Sequence, residues 1–367
     1  MKKIFMLNDF VSGGGAEAVM RDIIKHLYGK YDITVMTFDN DCQAAKEIFP
    51  AGVKYIPAKI KQNPYRRRNP LRYPISLYNR LITAYIRNKR YDVVIANKEG
   101  PCMNLVSKMH AYRKLAWVHA DYQYIYWTKD CFKNESETAC MQRFDKVICV
   151  SEAACQSVKK VIGDPGNLCV RYNPVDYEQI RKNAQEAATI ERNEGKPLFV
   201  AVGRIVRDKN FVTLARICAR LSREFDFELW IVGDGNQRTQ VEAVLTEENC
   251  SCVKILGMQS NPHKYLAKAD CLISSSLTES YGLVIQEALI LGIPVLSTRC
   301  PAIEECLDTK FGKIVDCDEA SIEKGIRSIL ENPKCLDAYK EAIRKEYAAE
   351  DLWTPRLEKI ESLIKDT

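Results

Sequence analysis

Two carboxylates, Glu279 and Glu287, stand eight residues apart in "SSSLTESYGLVIQEALILGIPVLST", residues 274–298. A strand-like run ends in the serines, and a helix is expected from about Tyr281 to Leu291. The backbone N–H groups of Gly282 and Leu283 would then be among the donors that a helix's first turn leaves without intrahelical partners, an anion site. Gly282 has no side chain, so a phosphate can come close. Glu279 stands just outside the helix end and Glu287 lies inside it. With a rise of ~1.5 Å per residue, Glu287 falls several ångströms from the phosphate. A nucleotide sugar suits this spacing: Glu287 on ribose hydroxyls, the helix start on phosphate, Glu279 on hydroxyls of the sugar. Two glutamates alone fit equally well an acid favoured by the helix dipole plus a surface acid.

A second group lies in "VAVGRIVRDKNF", residues 200–211. A strand ends at Gly203, and Arg204 and Lys209 follow on the loop before a helix starting near Phe211. Two cations on one strand-to-helix loop can converge on a diphosphate, arginine as a fork and lysine as a point charge. The alternative is a pair of solvated loop charges. The position just after a strand favours the phosphate.

The elements that must hold these residues alternate along most of the chain. Apolar strand-like runs occur at 3–8, 31–38, 52–57, 91–97, 114–119, 145–151 and 167–173, with helix-period segments between them, such as 16–28 and 151–162. After a charged, non-periodic stretch at 175–197, strands resume at 198–203, 227–233, 252–257, 270–276, 293–298 and 313–316. Short runs buried on both faces and separated by helices indicate α/β architecture with doubly wound parallel sheets. At 367 residues the chain exceeds one comfortable core. The expected units are 1–175, 176–345 and a terminal segment, 346–367, whose helix starts near Pro355 and crosses back onto the N-terminal domain.

The pattern as a whole resembles a known family. "VGRIVRDKN", "IVGDG", "CVKILG", "ADCLISSSLTESYGLVIQEALILGIPVLST" and "EEC" look like the retaining nucleotide-sugar glycosyltransferases of family 4. The resemblance covers residues 197–308 closely and 1–175 more loosely, through "GGGAEAVM", "WVHAD", "VICVSEAA" and "YNPVD". It implies the GT-B fold, two Rossmann-like domains facing a cleft, the first for the acceptor and the second for the donor. The family's Glu-x7-Glu signature falls on Glu279 and Glu287, and its paired Arg and Lys on Arg204 and Lys209. By the same resemblance, Gly14 and Gly15 of "SGGGAE" approach the donor, and His119 sits near the sugar's outer hydroxyl. Further donor contacts are implied at Gly257, Met258, Ser280, Tyr281, Gly282 and Leu283, and an acceptor contact at Glu17. Asn210 departs from the family, which often has glycine after the lysine. The implied activity is transfer of a sugar, from a UDP-hexose or UDP-N-acetylhexosamine, to a saccharide acceptor, lipid-linked in a bacterial surface polymer. An epimerase of similar fold and a non-catalytic sugar-nucleotide binder are the alternatives. A dinucleotide-dependent dehydrogenase is disfavoured, because GxGxxG and a ribose-binding acid are missing.

The remaining features narrow the setting. "DND" at 39–41 has the spacing of a metal-binding pair, but cations and a helix start already supply positive charge, so neither metal nor cofactor is expected. Residues 59–90 hold ten Lys or Arg and no acid. The stripe Tyr78, Leu81, Ile82, Tyr85 and Ile86 reads as packing on the first sheet. Arg66, Arg67, Arg68 and Arg72 suit an anionic membrane surface or a lipid pyrophosphate better than nucleic acid. Fifteen cysteines, several within apolar runs, behave as small buried hydrophobes, and only Cys250-x-Cys252 forms a close pair. With no membrane-length apolar run and no signal-peptide pattern, a reduced cytoplasmic protein is expected, peripheral on the membrane at most.

Overall fold

The computed structural model describes residues 1–11, 14–38, 42–57, 84, 86, 88–132, 135–347 and 353–365. Asp39, Asn40 and Asp41 lie outside these, as do Arg66, Arg67, Arg68 and Arg72, and Tyr78, Leu81, Ile82 and Tyr85 of the apolar stripe. Its last member, Ile86, is buried.

The chain forms two compact units, Met1–Pro174 with Thr354–Thr367, and Val175–Trp353. The first has seven strands: β1 (Lys3–Asn8), β2 (Asp32–Thr37), β3 (Lys54–Pro57), β4 (Tyr91–Ala96), β5 (Ala111–Val118), β6 (Lys146–Cys149) and β7 (Leu168–Val170). Their order is β3-β2-β1-β4-β5-β6-β7, and every pairing is parallel. The second unit holds β8 (Leu198–Val202), β9 (Glu228–Val232), β10 (Val253–Gly257), β11 (Cys271–Ser274), β12 (Val295–Thr298) and β13 (Gly312–Val315). These run β10-β9-β8-β11-β12-β13, again all parallel. Helices cover both faces, so central runs such as Ile4–Leu7 and Phe199–Ala201 are buried on both sides, which explains their continuous apolar character. Both are doubly wound sheets. The order reverses between β1 and β4 in one and between β8 and β11 in the other, and ligands of such sheets bind at the carboxyl ends beside that reversal.

Two sequence expectations shift. The charged stretch after Pro174 is not irregular throughout: Tyr177–Ala184 is a helix. The Asp176 carboxylate caps it, accepting from Gln179 N at 3.0 Å, and only Ile180 is buried. One apolar anchor leaves no periodicity to read. The terminal segment also starts later than residue 346. Helix Cys335–Glu346 stays with the second unit because Leu336 and Ile343 enter its two apolar cores.

The last helix, Thr354–Lys365, packs on the first unit through buried Leu357, Ile360, Leu363 and Ile364. Its Glu361 is almost fully buried and faces His26 Nε2 at 2.8 Å and Lys30 Nζ at 3.0 Å. The Arg113 guanidinium donates to Leu363 O at 3.0 Å and that of Arg356 to Asn173 O at 2.8 Å. Among the described residues no helix is long and apolar enough to cross a membrane. All fifteen cysteines are free thiols.

Candidate functional site

In the second unit, the loops after β8 and β11 meet at the order reversal. The β8 strand ends at Val202, and the chain passes through Gly203 and Arg204 into a 3-10 turn, Arg207–Lys209. Asn210 closes the turn with φ 57° and leads into helix Phe211–Leu221. This is the left-handed region, which asparagine enters more readily than most residues, so Asn210 does the work of the family's glycine. Glycines also set the closeness of neighbouring loops. A Cβ on Gly233 would lie 1.9 Å from Gly203 O, and one on Gly235 2.4 Å from Ile205 O. The motif "IVGDG" is therefore a packing requirement of the Arg204 loop.

Lys209 and Glu279 come together as an ion pair, their side chains 22% and 16% exposed. Ser276 Oγ donates to the same Glu279 oxygen at 2.8 Å. The two loops are tied by backbone as well, Leu277 N to Asp208 O at 2.7 Å and Ser275 Oγ to Lys209 O at 2.8 Å. Arg204 is exposed, and among the described residues its guanidinium has no ion-pair partner.

The helix after Glu279 is shorter than expected, Leu283–Ile290. Gly282 is its N-cap, with φ 80°, and that left-handed turn keeps Ser280 and Tyr281 outside the helix. A Cβ at Gly282 would also press on Cys306 Sγ at 3.0 Å and Ile303 at 3.2 Å. Ser280 is half-buried and Tyr281 buried. Leu283 and Val284 open the first turn, so their N–H groups lack intrahelical acceptors. Glu287 lies on this helix, its Oε2 3.5 Å from His263 Nε2. His263 Nδ1 faces Asn183 Nδ2 at 3.2 Å and accepts there, so Nε2 carries the hydrogen; Nε2 is buried with no hydrogen-bond partner among the described residues. Gly257 ends β10 with φ 70°, and Met258 beyond it is exposed.

In the first unit, the residues at the order reversal follow β1 and β4. Gly14 caps helix Gly15–Leu27 in extended conformation. Glu17 in its first turn is buried and accepts from Asn8 Nδ2 at 3.2 Å. Its carboxylate faces inward. The Asn97 amide bridges to Ala16 O at 3.1 Å, and its Oδ1 is buried with no partner among the described residues. His119 follows β5. Its backbone N–H donates to Glu99 Oε2 at 2.9 Å, and ring Nε2 lies 3.0 Å from Asn97 O. That bond places the hydrogen on Nε2. Burial lowers the His119 pKa to about 4, so the ring is neutral near pH 7 and can orient a hydroxyl but not act as a general acid.

Sequence reasoning missed four residues here, each just after a central strand or facing one. Lys98 pairs with Asp9 at 3.0 Å. Burial acts to lower the Lys98 pKa, but the Asp9 carboxylate outweighs it and the net shift is upward. Glu99 is buried, and burial raises its pKa. Trp127 Nε1 donates to Glu99 Oε1 at 3.0 Å, and Lys98 Nζ lies 5.7 Å from the Trp127 ring. Ser276 and His263 were missed in the second unit. The strand-end rule that found Arg204 would have reached Asp9, Lys98 and Glu99; Trp127 and His263 carry no such signal. Among the described residues no cluster of three or more metal-ligating side chains occurs.

Known proteins match on both halves. The family model described as Glycosyltransferase Family 4 matches residues 13–179, and that described as Glycosyl transferases group 1 matches residues 182–346. One similar protein is the N-acetylgalactosamine-N,N'-diacetylbacillosaminyl-diphospho-undecaprenol 4-alpha-N-acetylgalactosaminyltransferase of Campylobacter jejuni. It is 32% identical over 180 residues, 48% of this chain and 48% of its own. Another is the lipopolysaccharide core biosynthesis glycosyltransferase LpsE of Rhizobium meliloti, 32% identical over 139 residues, 37% of this chain and 40% of its own. The chain thus spans about half the length of the curated relatives it matches. Anabaena Alr3699/HepE, solved in complex with UDP and glucose, superposes with TM-score 0.78 at 17% identity over 100% of both chains, a likeness of fold. With two successive family models accounting for nearly the whole chain and this architecture beneath them, the chain belongs to the family 4-type glycosyltransferases of GT-B fold.

Proposed function

We propose that the chain moves a sugar from a UDP-hexose or UDP-N-acetylhexosamine to a hydroxyl of a saccharide acceptor carried on a lipid, in the assembly of a bacterial surface glycan. The observation that carries this reading is the Lys209–Glu279 pair beside the Gly282-capped helix start, at the order reversal of the second sheet. In the free protein Glu279 occupies the lysine. An arriving diphosphate competes for that ammonium, and Lys209 then serves the phosphate while Glu279 turns to the sugar. Both contacts to Glu279 fall on Oε1, which leaves Oε2 for a sugar hydroxyl. Glu287 takes ribose hydroxyls, with the unpartnered Nε2 of His263 beside it.

The chemical barrier is departure of a diphosphate from an oxocarbenium-like carbon. Fixed positive groups placed where that charge develops lower it, since they need no reorganisation during the step. Lys209, Arg204 and the amides after Gly282 are those groups. The acceptor hydroxyl attacks on the face the diphosphate leaves, its proton passing to the departing phosphate oxygen, and the anomeric configuration is retained. Glu279 is held by a lysine and a serine, an arrangement suited to positioning and poor for a covalent nucleophile. No metal is required, because the cations already offset the phosphate charge. Names of relatives support the acceptor class, the Campylobacter protein being described by a diphospho-undecaprenol substrate. The solved Anabaena neighbour, which holds UDP and glucose, supports the donor. Neutral His119 and the Asp9–Lys98–Glu99–Trp127 group of the first unit are proposed to receive hydroxyls of the acceptor.

The test is a panel of nucleotide sugars scored by thermal stabilisation, then product analysis by NMR with and without chelator. A donor at 100 times its Kd should add ~2.7 kcal/mol, and the product should keep the donor's anomeric configuration in chelator. Failure of every nucleotide to stabilise the protein would overturn the reading, and inversion or chelator-abolished transfer would overturn its mechanism.

A further inference from the structure

Cys250 and Cys252 differ from the thiols packed inside the sheets, such as Cys218 and Cys271. They flank exposed Ser251, between helix Arg238–Glu247 and β10, and both are half-buried. Their sulfurs lie 3.4 Å apart. The backbone fixes them from both sides. Asn249 takes a left-handed φ of 49° and Cys250 N donates to Leu245 O at 2.8 Å, ending the helix. Leu229 N donates to Cys252 O at 2.8 Å, starting the β9–β10 ladder. Cys252 Sγ also reaches the carbonyl of Cys218 at 3.7 Å. Cys252 lines a polar surface depression with Ser222, Arg223 and Glu248. A disulfide bond is ~2.05 Å long, so the sulfurs must approach by about 1.4 Å to close it.

We infer that Cys250 and Cys252 form a redox-active dithiol that exchanges reversibly with small disulfides of the glutathione class. The contact with the Cys252 thiol lowers the Cys250 pKa to about 6, so Cys250 supplies the thiolate that attacks. It bonds to one sulfur of oxidised glutathione, the S–S bond breaks, and one glutathione thiolate leaves. Cys252 then gives its proton to solvent and attacks the Cys250 sulfur, releasing the second glutathione. The protein loses two thiol hydrogens and two electrons, and the disulfide of glutathione is reduced to two thiols. A ring closed across one residue is strained, and strained disulfides are the readily reduced, labile kind. The pair sits at the amino end of β10, whereas Gly257 forms its carboxyl end and Met258 follows, so this chemistry is separate from the sugar-transfer groups.

The experiment uses the full chain in buffers of graded reduced-to-oxidised glutathione ratio, acid-quenched, alkylated and read by peptide mass. The peptide containing both residues should lose two hydrogens and escape alkylation while thiols such as Cys218 and Cys271 remain alkylated. Cys252→Ser should stop at a glutathione adduct on Cys250. In the wild type, one equivalent of phenylarsine oxide, which bridges neighbouring thiols, should protect both residues from alkylation, and either serine variant should abolish that protection. Full alkylation of Cys250 and Cys252 at every ratio, pairing of either with Cys218, or arsenical protection undiminished by Cys250→Ser would each overturn the proposal.

Discussion

Replacing Lys209 by alanine should lower kcat/KM for sugar transfer by about a hundredfold. Its ammonium is the cation tied to Glu279 on the loop after β8. A unit charge ~4 Å from a phosphate oxygen, at an effective dielectric near 20, is worth about 4 kcal/mol. Part of this is returned, because the ion pair with Glu279 must be given up when the donor arrives. The lysine is also 22% exposed, so salt screens it partially. About 2–3 kcal/mol remains for the transition state, where the leaving diphosphate gains charge, and each ~1.4 kcal/mol is a factor of ten. The assay is initial-rate nucleotide release at saturating acceptor, with UDP affinity measured by calorimetry. Lys209→Arg should recover part of the loss, since charge is kept while the point-like ammonium is replaced by a planar fork. A purely structural role would look different: Lys209→Ala and Glu279→Gln would then slow transfer equally and leave UDP affinity unchanged. An alanine variant within about threefold of wild type in both rate and UDP affinity would refute the argument.

Two further outcomes are expected. His263→Ala should weaken UDP binding by several-fold with little change in thermal stability, because Nε2, buried without a hydrogen-bond partner among the described residues and 3.5 Å from Glu287 Oε2, is free to bond a ribose hydroxyl beside that carboxylate; calorimetry with UDP reads it, and an unchanged affinity removes the role. Glu361→Gln should loosen the last helix by about 1–2 kcal/mol at pH 7, read as faster hydrogen exchange over residues 354–365. Burial acts to raise the Glu361 pKa, but bonds from Lys365, Lys30 and His26 outweigh it and hold it at about 2, against an ordinary 4.5. The full shift would be about 3 kcal/mol, discounted because Lys30 and Lys365 are largely exposed and surface pairs contribute little. A depressed carboxylate stabilises above its unfolded pKa, so the difference between variant and wild type should fade as pH drops from about 4.5 toward 2; a difference independent of pH would contradict it.

What the sequence reveals and withholds follows from which interactions are local. The central strands announce themselves, because a run such as "KIFMLN" or "FELWIVG" is apolar on both faces, as a parallel strand covered by helices requires; the half-buried edge strands β3 and β7 are read from their place in the alternation. Arg204, Lys209, Glu279 and Glu287 are legible for a related reason: each lies on or next to an element whose end can be read, and the end of a parallel strand is where ligands gather. The start of the helix after Glu279 is misread by two residues, since nothing short of geometry says that Gly282 adopts φ 80°. The group around Lys98 is hidden at a deeper level. Its bonds join Asp9 to Lys98 and Asn8 to Asn97, positions 89 residues apart that meet only because β4 inserts beside β1. Periodicity identifies strands but not their order, and the order decides which strand ends share a site. The same limit works in reverse at "IVGDG". Glycines after a strand invite a phosphate-binding reading, yet the 1.9 Å approach of a Gly233 Cβ to Gly203 O gives them a packing duty. They let the loop that carries Arg204 lie flat against its neighbour, and so serve any ligand at second hand, by fixing where the arginine and lysine begin.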